Sequence, residues 1–324
     1  MPVTIRIAVR DWDYLTPLIL GDITSEKLTV QVDRVDTLVG ELATDPVYDA
    51  KELSFSRYAS QREAGDQSVF GIPNFLMRSF RHRCIITRSD SSLEQLAELA
   101  GKRIGVTGWR DSGNTWTRAA LRRGGVGIDD ALWIAGRLTA EHPIVDRLDG
   151  FGRPGLIESA PEERPLIELL DVGEIDAVFT PFMPNGYFEA GSRFRQLQRD
   201  FRSAELDYFR AVGYVPGIHL VGVKSGLAER YPWLPGELSA MIDASQKMWT
   251  QKRRKYADTT PWIIDELLNN ARDLPESWCE SGFLANRTMI ADFSRELHEQ
   301  RILGRQLTPE ELFPAYAAEY GSAA

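Results

Sequence analysis

The run Arg81-His82-Arg83 is the densest group of side chains able to do chemistry. A guanidinium group binds a carboxylate through two parallel hydrogen bonds, and an imidazole exchanges protons near neutral pH. In an extended segment, Arg81 and Arg83 would share one face and His82 would point the other way, so all three reach one ligand only if the chain bends. The alternative interpretation is a solvated surface run.

A second histidine and a carboxylate lie on other predicted strands. His219 is inside an apolar strand, which is typical of a buried core histidine but also lets it form an acid–base pair with His82. Glu52 and Ser54 lie where a predicted strand meets a helix, which is where open α/β sheets bind ligands. Glu52 could orient a histidine or accept a hydrogen bond from a hydroxyl group, and Ser54 could bind a carboxylate. The alternative for Glu52 is a solvated carboxylate at a helix start.

A predicted helix N-terminus offers a second place for an anion. Ser112, Asn114 and Thr115 lie at this end, where free backbone N–H groups bind negative charge. Arg118 follows one turn later and could add a guanidinium group, and Trp116 could stack on a ring. Ordinary helix capping and a core tryptophan are the alternatives.

Alternating strands and helices predict an α/β fold with mostly parallel sheets. Strands are predicted at 3–9, 28–35, 84–87, 103–106, 173–180 and 218–223, and helices at 58–64, 92–100, 112–124 and 239–255, with Ser112 as an N-cap. Further helices are predicted to begin at Thr260-Pro261 and Thr308-Pro309. Gly71–Pro73 reads as a turn.

Composition excludes several classes of protein. The net charge of −9 and pI of about 5.2 argue against a nucleic-acid partner. No stretch approaches the roughly 20 apolar residues of a membrane span, and the N-terminus does not read as a signal peptide, so we expect a cytoplasmic protein without membrane contact. Cys84 and Cys279 are far apart and form no metal or redox motif.

Seven segments together resemble the 4,5-dihydroxyphthalate decarboxylase family, and they occur in family order over nearly the whole chain. They are ELSFSRY (52–58), RSFRHRCII (78–86), LAGKRIGV (99–106), TWTRAAL (115–121), GEIDA (173–177), ERYPWL (229–234) and LTPEELF (307–313). The first two are the most specific, since many two-lobed binding proteins carry phrases similar to LAGKRIGV and GEIDA.

The resemblance implies a type 2 periplasmic-binding-protein-like fold with a ligand cleft between two lobes. We expect residues 1–90 and 206–324 to form the first lobe, with the C-terminal helices, and residues 91–205 to form an inserted second lobe. It also implies non-oxidative loss of CO2 from a hydroxylated phthalate- or benzoate-type acid.

That reaction suggests roles for the candidates. His82 is our first choice as proton donor or phenol partner, with His219 as the alternative donor and Arg81 as the carboxylate anchor. Thr180 begins a neutral segment, TPFMPN, where typical family members carry an arginine, so one anion contact of the family is expected to differ here. The ring hydroxyls make an organic cofactor unnecessary.

Several alternatives stay open at this point. His82, His219 and Glu52 match a two-histidine-one-carboxylate metal set, although no metal motif stands out in the sequence. Other readings of the whole chain are a solute-binding protein for an aromatic carboxylate, or another cytoplasmic lyase of the same fold, such as one of the menaquinone pathway. The sequence also leaves open a homo-oligomer.

Overall fold

The fold is described from a computed structural model, in which residues 1–320 are described. Within that range the chain forms eleven strands. They are β1 (Val3–Val9), β2 (Leu28–Arg34), β3 (Ala50–Ser54), β4 (Val69–Arg78), β5 (Ile85–Arg88), β6 (Arg103–Val106), β7 (Leu132–Ala135), β8 (Ile157–Ser159), β9 (Ala177–Phe179), β10 (Phe194–Gln196) and β11 (Gly217–Lys224).

The same residues form eleven α-helices, joined in places by short 3₁₀ turns. They are α1 (Thr16–Ile19), α2 (Phe55–Glu63), α3 (Ser112–Arg123), α4 (Leu166–Asp171), α5 (Phe201–Val212), α6 (Ser225–Arg230), α7 (Leu234–Lys255), α8 (Ile263–Asp273), α9 (Phe283–Glu299), α10 (Pro309–Leu312) and α11 (Pro314–Tyr320). Among them, no helix has the length and apolarity needed to cross a membrane.

The chain folds into two compact units. Among the described residues, the first contains Met1–Arg78, Gly217–Ala291 and 307–320, and the second contains Ser79–Pro216 and Asp292–Gln306. These divisions differ from the expected lobes of 1–90 with 206–324 and of 91–205. Residues 79–90 belong to the second unit because β5 pairs with β9 and β10.

The first unit is built on a five-stranded sheet with the order β2-β1-β3-β11-β4. β1 pairs in parallel with β2 and β3, whereas β11 runs antiparallel to β3 and β4. β1 alternates polar and apolar residues, so one of its faces buries Ile5, Ile7 and Val9 in the core. β11 is apolar almost throughout and buried from Gly217 to Val223, because it is a central strand with helices over the sheet.

The second unit has a six-stranded sheet with the order β10-β5-β9-β6-β7-β8. β6, β7, β8 and β9 pair in parallel, and β5 and β10 add an antiparallel edge. Leu166, Leu169 and Leu170 of α4 pack against Ile86 and Val178 of this sheet. Both sheets are therefore mixed, and parallel pairs outnumber antiparallel ones among the described strands.

Two local predictions were wrong. Gly71–Pro73 is not a turn but part of β4: a Cβ on Gly71 would lie 2.5 Å from the Tyr58 ring, so glycine lets that ring pack against a strand. Pro73 falls where the pairing of β4 with β11 is irregular, and there its missing N–H costs no ladder bond. Residues 92–100 are not one helix either. Only Leu96–Leu99 form a 3₁₀ turn, because the Glu98 carboxylate accepts the N–H groups of residues 94 and 95 and holds a tight turn.

Helix starts were predicted with mixed success. Thr308 caps α10 as expected, since its hydroxyl accepts the Glu311 N–H in a capping box. Ser112 is the first residue of α3 rather than its N-cap, which is Asp111. Thr260 does not cap α8, whose N-cap position is Trp262.

Candidate active site

A buried carboxylate–histidine pair lies on the sheet of the first unit. His219 on β11 stands opposite Ser54 on β3, and Glu52 is two residues before Ser54. Because side chains alternate along a strand, all three side chains project from the same face. His219 Nδ1 and Glu52 Oε1 are 2.6 Å apart, and both side chains are buried.

The second carboxylate oxygen of Glu52 also accepts hydrogen bonds. Glu52 Oε2 accepts the Arg10 backbone N–H and the Trp12 indole N–H, each at 2.9 Å. Burial by itself would raise the pKa of Glu52, but the hydrogen bonds and charge of His219, with the Arg10 and Trp12 donors, outweigh it and lower the pKa below its ordinary value. The group is therefore a carboxylate at neutral pH.

An ionised Glu52 fixes the orientation of His219. A carboxylate only accepts hydrogen bonds, so Nδ1 of His219 carries the proton between them. The Nε2 atom is then the end of the ring that can give or take a proton. This arrangement suits a general acid or base.

An irregular stretch of β4 lies beside this pair. Val221 of β11 pairs with Ile72, whereas His219 pairs with Met77, so residues 73–76 bulge out of the ladder. The Tyr14 hydroxyl donates to the Leu76 carbonyl at 2.5 Å, which fixes the bulge. Burial and the nearby Glu52 charge raise the pKa of Tyr14, so it stays a donor.

Sequence reasoning found Glu52 and His219 but missed the groups that hold Glu52. Trp12 and Arg10 follow β1 directly, at the carboxyl end of a parallel strand. Such positions are where open α/β sheets place functional residues. Their position after β1 was therefore the sequence signal that could have identified Arg10 and Trp12.

Replacing Trp12 by phenylalanine is expected to lower kcat about tenfold, since one charge-assisted hydrogen bond to Glu52 is lost, and to leave KM nearly unchanged. The lost donor also raises the pKa of Glu52, so the acid limb of the pH–rate profile should move to higher pH. Steady-state kinetics over a pH series measure both effects. The matched control is Trp233→Phe, which alters another partly buried tryptophan of the same core. An unchanged pH profile in the Trp12 variant would contradict the positioning role.

The second unit holds Arg81 in an unusual setting. The segment is not extended: Arg81 precedes a 3₁₀ turn at His82–Cys84, which separates its direction from that of Arg83. Arg81 is 2% exposed, and its Nε donates to Thr117 Oγ1 at 3.1 Å. Among the described residues, Nη1 and Nη2 of Arg81 find no hydrogen-bond partner.

The free end of this guanidinium group lies against the first turn of α3. A Cβ on Gly113 would come 2.9 Å from Arg81 Nη2, so the absence of a side chain there leaves room for the group. The first turn of a helix has backbone N–H groups without intrahelical partners and carries partial positive charge. Two buried, unsatisfied N–H donors beside such a turn form an anchor suited to a carboxylate.

The other candidates on α3 have internal partners. Asn114 Nδ2 donates to the Gly108 carbonyl at 2.9 Å, and the Thr115 hydroxyl donates to the Asp111 carbonyl at 3.2 Å. Trp116 stacks on Phe293 with ring centroids 4.9 Å apart, and it is buried. These contacts are those of the core and of helix structure.

Arg118 makes more hydrogen bonds than Arg81, and only its Nη1 has no partner among the described residues. Its Nε donates to Gln300 Oε1 and its Nη2 to the Trp109 carbonyl, both at 2.7 Å, and the group stacks over the Trp109 ring. Burial lowers the pKa of Arg118 to about 9, which still leaves it charged at neutral pH. Thr180 is buried too, and its hydroxyl both donates to and accepts from the Phe182 backbone.

His82 is buried beside the edge of the Tyr208 ring, and its Nδ1 has no partner among the described residues. Burial lowers the pKa of His82, the Arg83 charge lowers it further, and Glu205 only partly opposes them. Arg83 itself forms an ion pair with the buried Glu205 carboxylate, so it is not available to a ligand. Burial thus favours the neutral form of His82.

Substituting His82 by asparagine is expected to reduce acid destabilisation. Because folding lowers the pKa of His82, the unfolded chain binds a proton that the folded chain does not, and stability falls as the pH drops below the ordinary value of 6.5. One such proton corresponds to about 1.4 kcal/mol per pH unit. Denaturant unfolding across this range should give a shallower slope for His82→Asn, with the exposed His142→Asn as control. Equal slopes would contradict a buried neutral His82.

The described part of the chain contains no group of three or more His, Cys, Asp or Glu side chains placed to hold a metal ion.

Comparison with known proteins identifies the fold and the family of this chain. No protein-family model matches the chain. The periplasmic aliphatic sulphonate binding protein SsuA from Escherichia coli aligns at a TM-score of 0.53 and 13% identity, over 96% of this chain and 92% of that one. The alkanesulfonate-binding protein SsuA from Xanthomonas axonopodis pv. citri aligns at 0.55 and 12% identity, over 96% and 98%. The chain therefore has the periplasmic-binding-protein-like α/β fold, as predicted.

Its relatives in sequence are enzymes. The 4,5-dihydroxyphthalate decarboxylase of Comamonas testosteroni is 31% identical over 326 aligned residues, which cover 95% of this chain and 96% of the relative. The protein of the same name from Pseudomonas putida is 31% identical over 224 residues, which cover 65% and 83%. The chain belongs to the 4,5-dihydroxyphthalate decarboxylase family, which confirms the resemblance seen in its motifs.

Proposed function

We propose that this chain is a carboxy-lyase that removes CO2 from a hydroxylated aromatic acid by protonating the ring, with His219 as the proton donor. The observation that carries the proposal is the buried Glu52–His219 pair, at 2.6 Å, in a chain of this family. A transport receptor has no need of a buried acid–base pair, whereas ring protonation requires one.

The chemistry can be followed atom by atom. A ring hydroxyl pushes electron density toward the carbon that carries the carboxylate, and this carbon takes the proton from His219 Nε2. The C–CO2 bond then breaks, its electron pair returns to the ring, and CO2 leaves. His219 recovers a proton from solvent. Glu52 keeps the imidazole oriented with Nε2 available for the transfer, since both of its oxygens are fixed by hydrogen bonds.

Arg81 supplies the carboxylate anchor in this proposal. Its two unsatisfied N–H groups and the first turn of α3 offer donors to a substrate carboxylate. The remaining substrate contacts stay predictions, and so does the cleft location expected from the family. These contacts are Ser54, Ser112, Asn114, Thr115, Trp116, Arg118 and Thr180. The contacts of Arg118 favour support of the fold.

His219 replaces His82 as the first choice of donor because of its partner. Glu52 accepts the Nδ1 proton of His219 and is itself held through both of its oxygens, so the ring is oriented and Nε2 is left for proton transfer. Burial and Arg83 instead disfavour the protonated form of His82. His82 remains the alternative donor. The proposed step draws only on these side chains and the ring hydroxyl, and dialysis against a chelator before assay tests whether a metal is also required.

CO2 release from a panel of hydroxylated phthalates and benzoates tests the proposed activity. The purified protein should turn over at least one member of the panel, and the same ligands should be followed by calorimetry. Tight binding of an aromatic acid without CO2 release would favour a solute-binding protein and contradict the proposal. Turnover by the wild-type protein would support the proposal if Glu52→Gln lowers kcat and also alters the pH–rate profile.

The neutral segment at 180–185 predicts a substrate that differs from 4,5-dihydroxyphthalate, either in its number of carboxylates or in another substituent. The segment contains no arginine, whereas the resemblance led us to expect an arginine-containing segment here, and the Thr180 hydroxyl bonds to the Phe182 backbone. We expect kcat/KM to be higher for another member of the panel than for 4,5-dihydroxyphthalate. A kcat/KM for 4,5-dihydroxyphthalate above about 10⁴ M⁻¹s⁻¹ would contradict this prediction.

A further inference from the structure

Helix α8 of the first unit turns its apolar side outward. Of its eleven residues, only Ile263 is buried. Ile264 and Leu268, one turn apart, are 55% and 66% exposed, and Ala271 continues the stripe. Trp262, directly before the helix, is 76% exposed. A helix of this length is marginal in water without tertiary packing. We therefore take its exposed apolar face as a surface that another molecule covers.

Two charged residues border the stripe and indicate what that partner is. Asp265 and Arg272 are seven positions apart, which places them on the same side of the helix but about 10 Å from each other along its axis. They are therefore too far apart to pair within one helix. In two antiparallel α8 helices related by a two-fold axis, Asp265 of each copy faces Arg272 of the other, and the pairing occurs twice.

The present contacts of these two residues leave them able to form such pairs. Arg272 bonds to the neighbouring Asp273 at 2.7 and 2.9 Å, and its side chain is largely exposed. Asp265 accepts an amide hydrogen from Asn269 at 2.9 Å. Exposed side chains of this kind reorient at little cost.

The charge of α8 argues against a lipid surface as the partner. The helix carries Asp265, Glu266 and Asp273 against the single cation Arg272. Helices that lie on membranes carry an excess of Lys and Arg on their polar face, which binds anionic lipid. An acidic polar face with its own complementary cation suits a second copy of the chain better.

We propose that two copies of this chain associate through α8, packed antiparallel about a two-fold axis with Leu268 near the centre. The apolar side chains of Trp262, Ile264 and Leu268 offer on the order of 400 Å² per copy, about half of the roughly 800 Å² that each partner buries in a standard interface. The exposed Arg272 side chain and the neighbouring Asp265 add polar area at the border of the stripe.

Analytical ultracentrifugation of the full chain, from sub-micromolar to hundreds of micromolar, tests the surface. The wild type should be dimeric at the upper end, and Leu268→Ser should raise the dimer dissociation constant about 100-fold, because one lost Leu burial counts twice by symmetry. Leu268 is exposed, so the variant should fold, which a melt verifies. The matched control is Val172→Ser, since Val172 is 60% exposed on the second unit. It should leave the constant unchanged.

Charge reversal tests the antiparallel arrangement. Asp265→Arg or Arg272→Asp alone should weaken the dimer about tenfold, because like charges then face each other twice. The double variant Asp265→Arg/Arg272→Asp should restore wild-type affinity, which a residue with a purely internal role would not do. Three results would overturn the proposal: a monomeric wild type at every concentration, a Leu268→Ser dimer of wild-type strength, or no rescue in the double variant. Decarboxylase assays on Leu268→Ser keep this outcome separate from that of the proposed activity.

Discussion

The substitution His219→Asn is expected to lower kcat by about 10²–10⁴, the usual contribution of a positioned general acid. Asparagine can still donate a hydrogen bond to Glu52 Oε1, so the buried carboxylate keeps a partner and the fold should survive. The imidazole Nε2 is lost, and with it the proton that the ring carbon receives. Single-turnover measurements of CO2 release report the chemical step directly, and a thermal melt checks the fold.

Glu52→Gln separates orientation from proton supply. A glutamine can present an N–H to His219 Nδ1, which favours the other tautomer of the imidazole, and it removes the negative charge beside the ring. We expect a similar fall in kcat together with an altered pH–rate profile, and a smaller change in KM. His82→Asn is the comparison at the other histidine. A near-wild-type kcat for His219→Asn, with a large loss for His82→Asn, would return the donor role to His82.

The strands that carry Glu52 and His219 could be predicted from the sequence, but the contact between these two side chains could not. The apolar run around His219 predicts a buried strand, and ELSFSRY predicts a strand end before a helix, so both side chains were assigned to the sheet. Their contact depends on β3 and β11 being neighbours, with His219 opposite Ser54. Strand order between segments 165 residues apart is set by the packing of the whole sheet, which periodicity does not encode.

The conformation of the Arg81 segment shows the same limit. Local pattern favoured an extended chain, in which Arg81 and Arg83 share a face. The structure instead makes a 3₁₀ turn there, because Glu205 accepts both the backbone N–H and the guanidinium of Arg83. Glu205 lies on α5, far along the chain, so only tertiary structure could reveal this turn. The chemistry of the residues was predictable, whereas their directions were not.

Arg81→Met should weaken binding of an aromatic carboxylate and at the same time stabilise the unliganded protein. Methionine fills much of the same space but removes a buried charge whose Nη1 and Nη2 have no partner among the described residues. Burying such a group is costly, so its loss should raise the melting temperature by a few degrees, equivalent to about 1 kcal/mol. Loss of a charge-assisted contact worth roughly 1.5–3 kcal/mol should raise the dissociation constant about 10- to 100-fold.

The opposite signs of these two effects distinguish a ligand anchor from a structural arginine. Calorimetry with phthalate, which lacks the ring hydroxyls that promote CO2 loss, gives affinity without turnover, and a melt without ligand gives stability. Arg118→Met is the matched control, since Arg118 already bonds to Gln300 and to the Trp109 carbonyl, and its removal should lower the melting temperature. Wild-type affinity for phthalate in Arg81→Met would contradict the anchor role. A lower melting temperature would contradict it too, because it would show that Arg81 stabilises the fold.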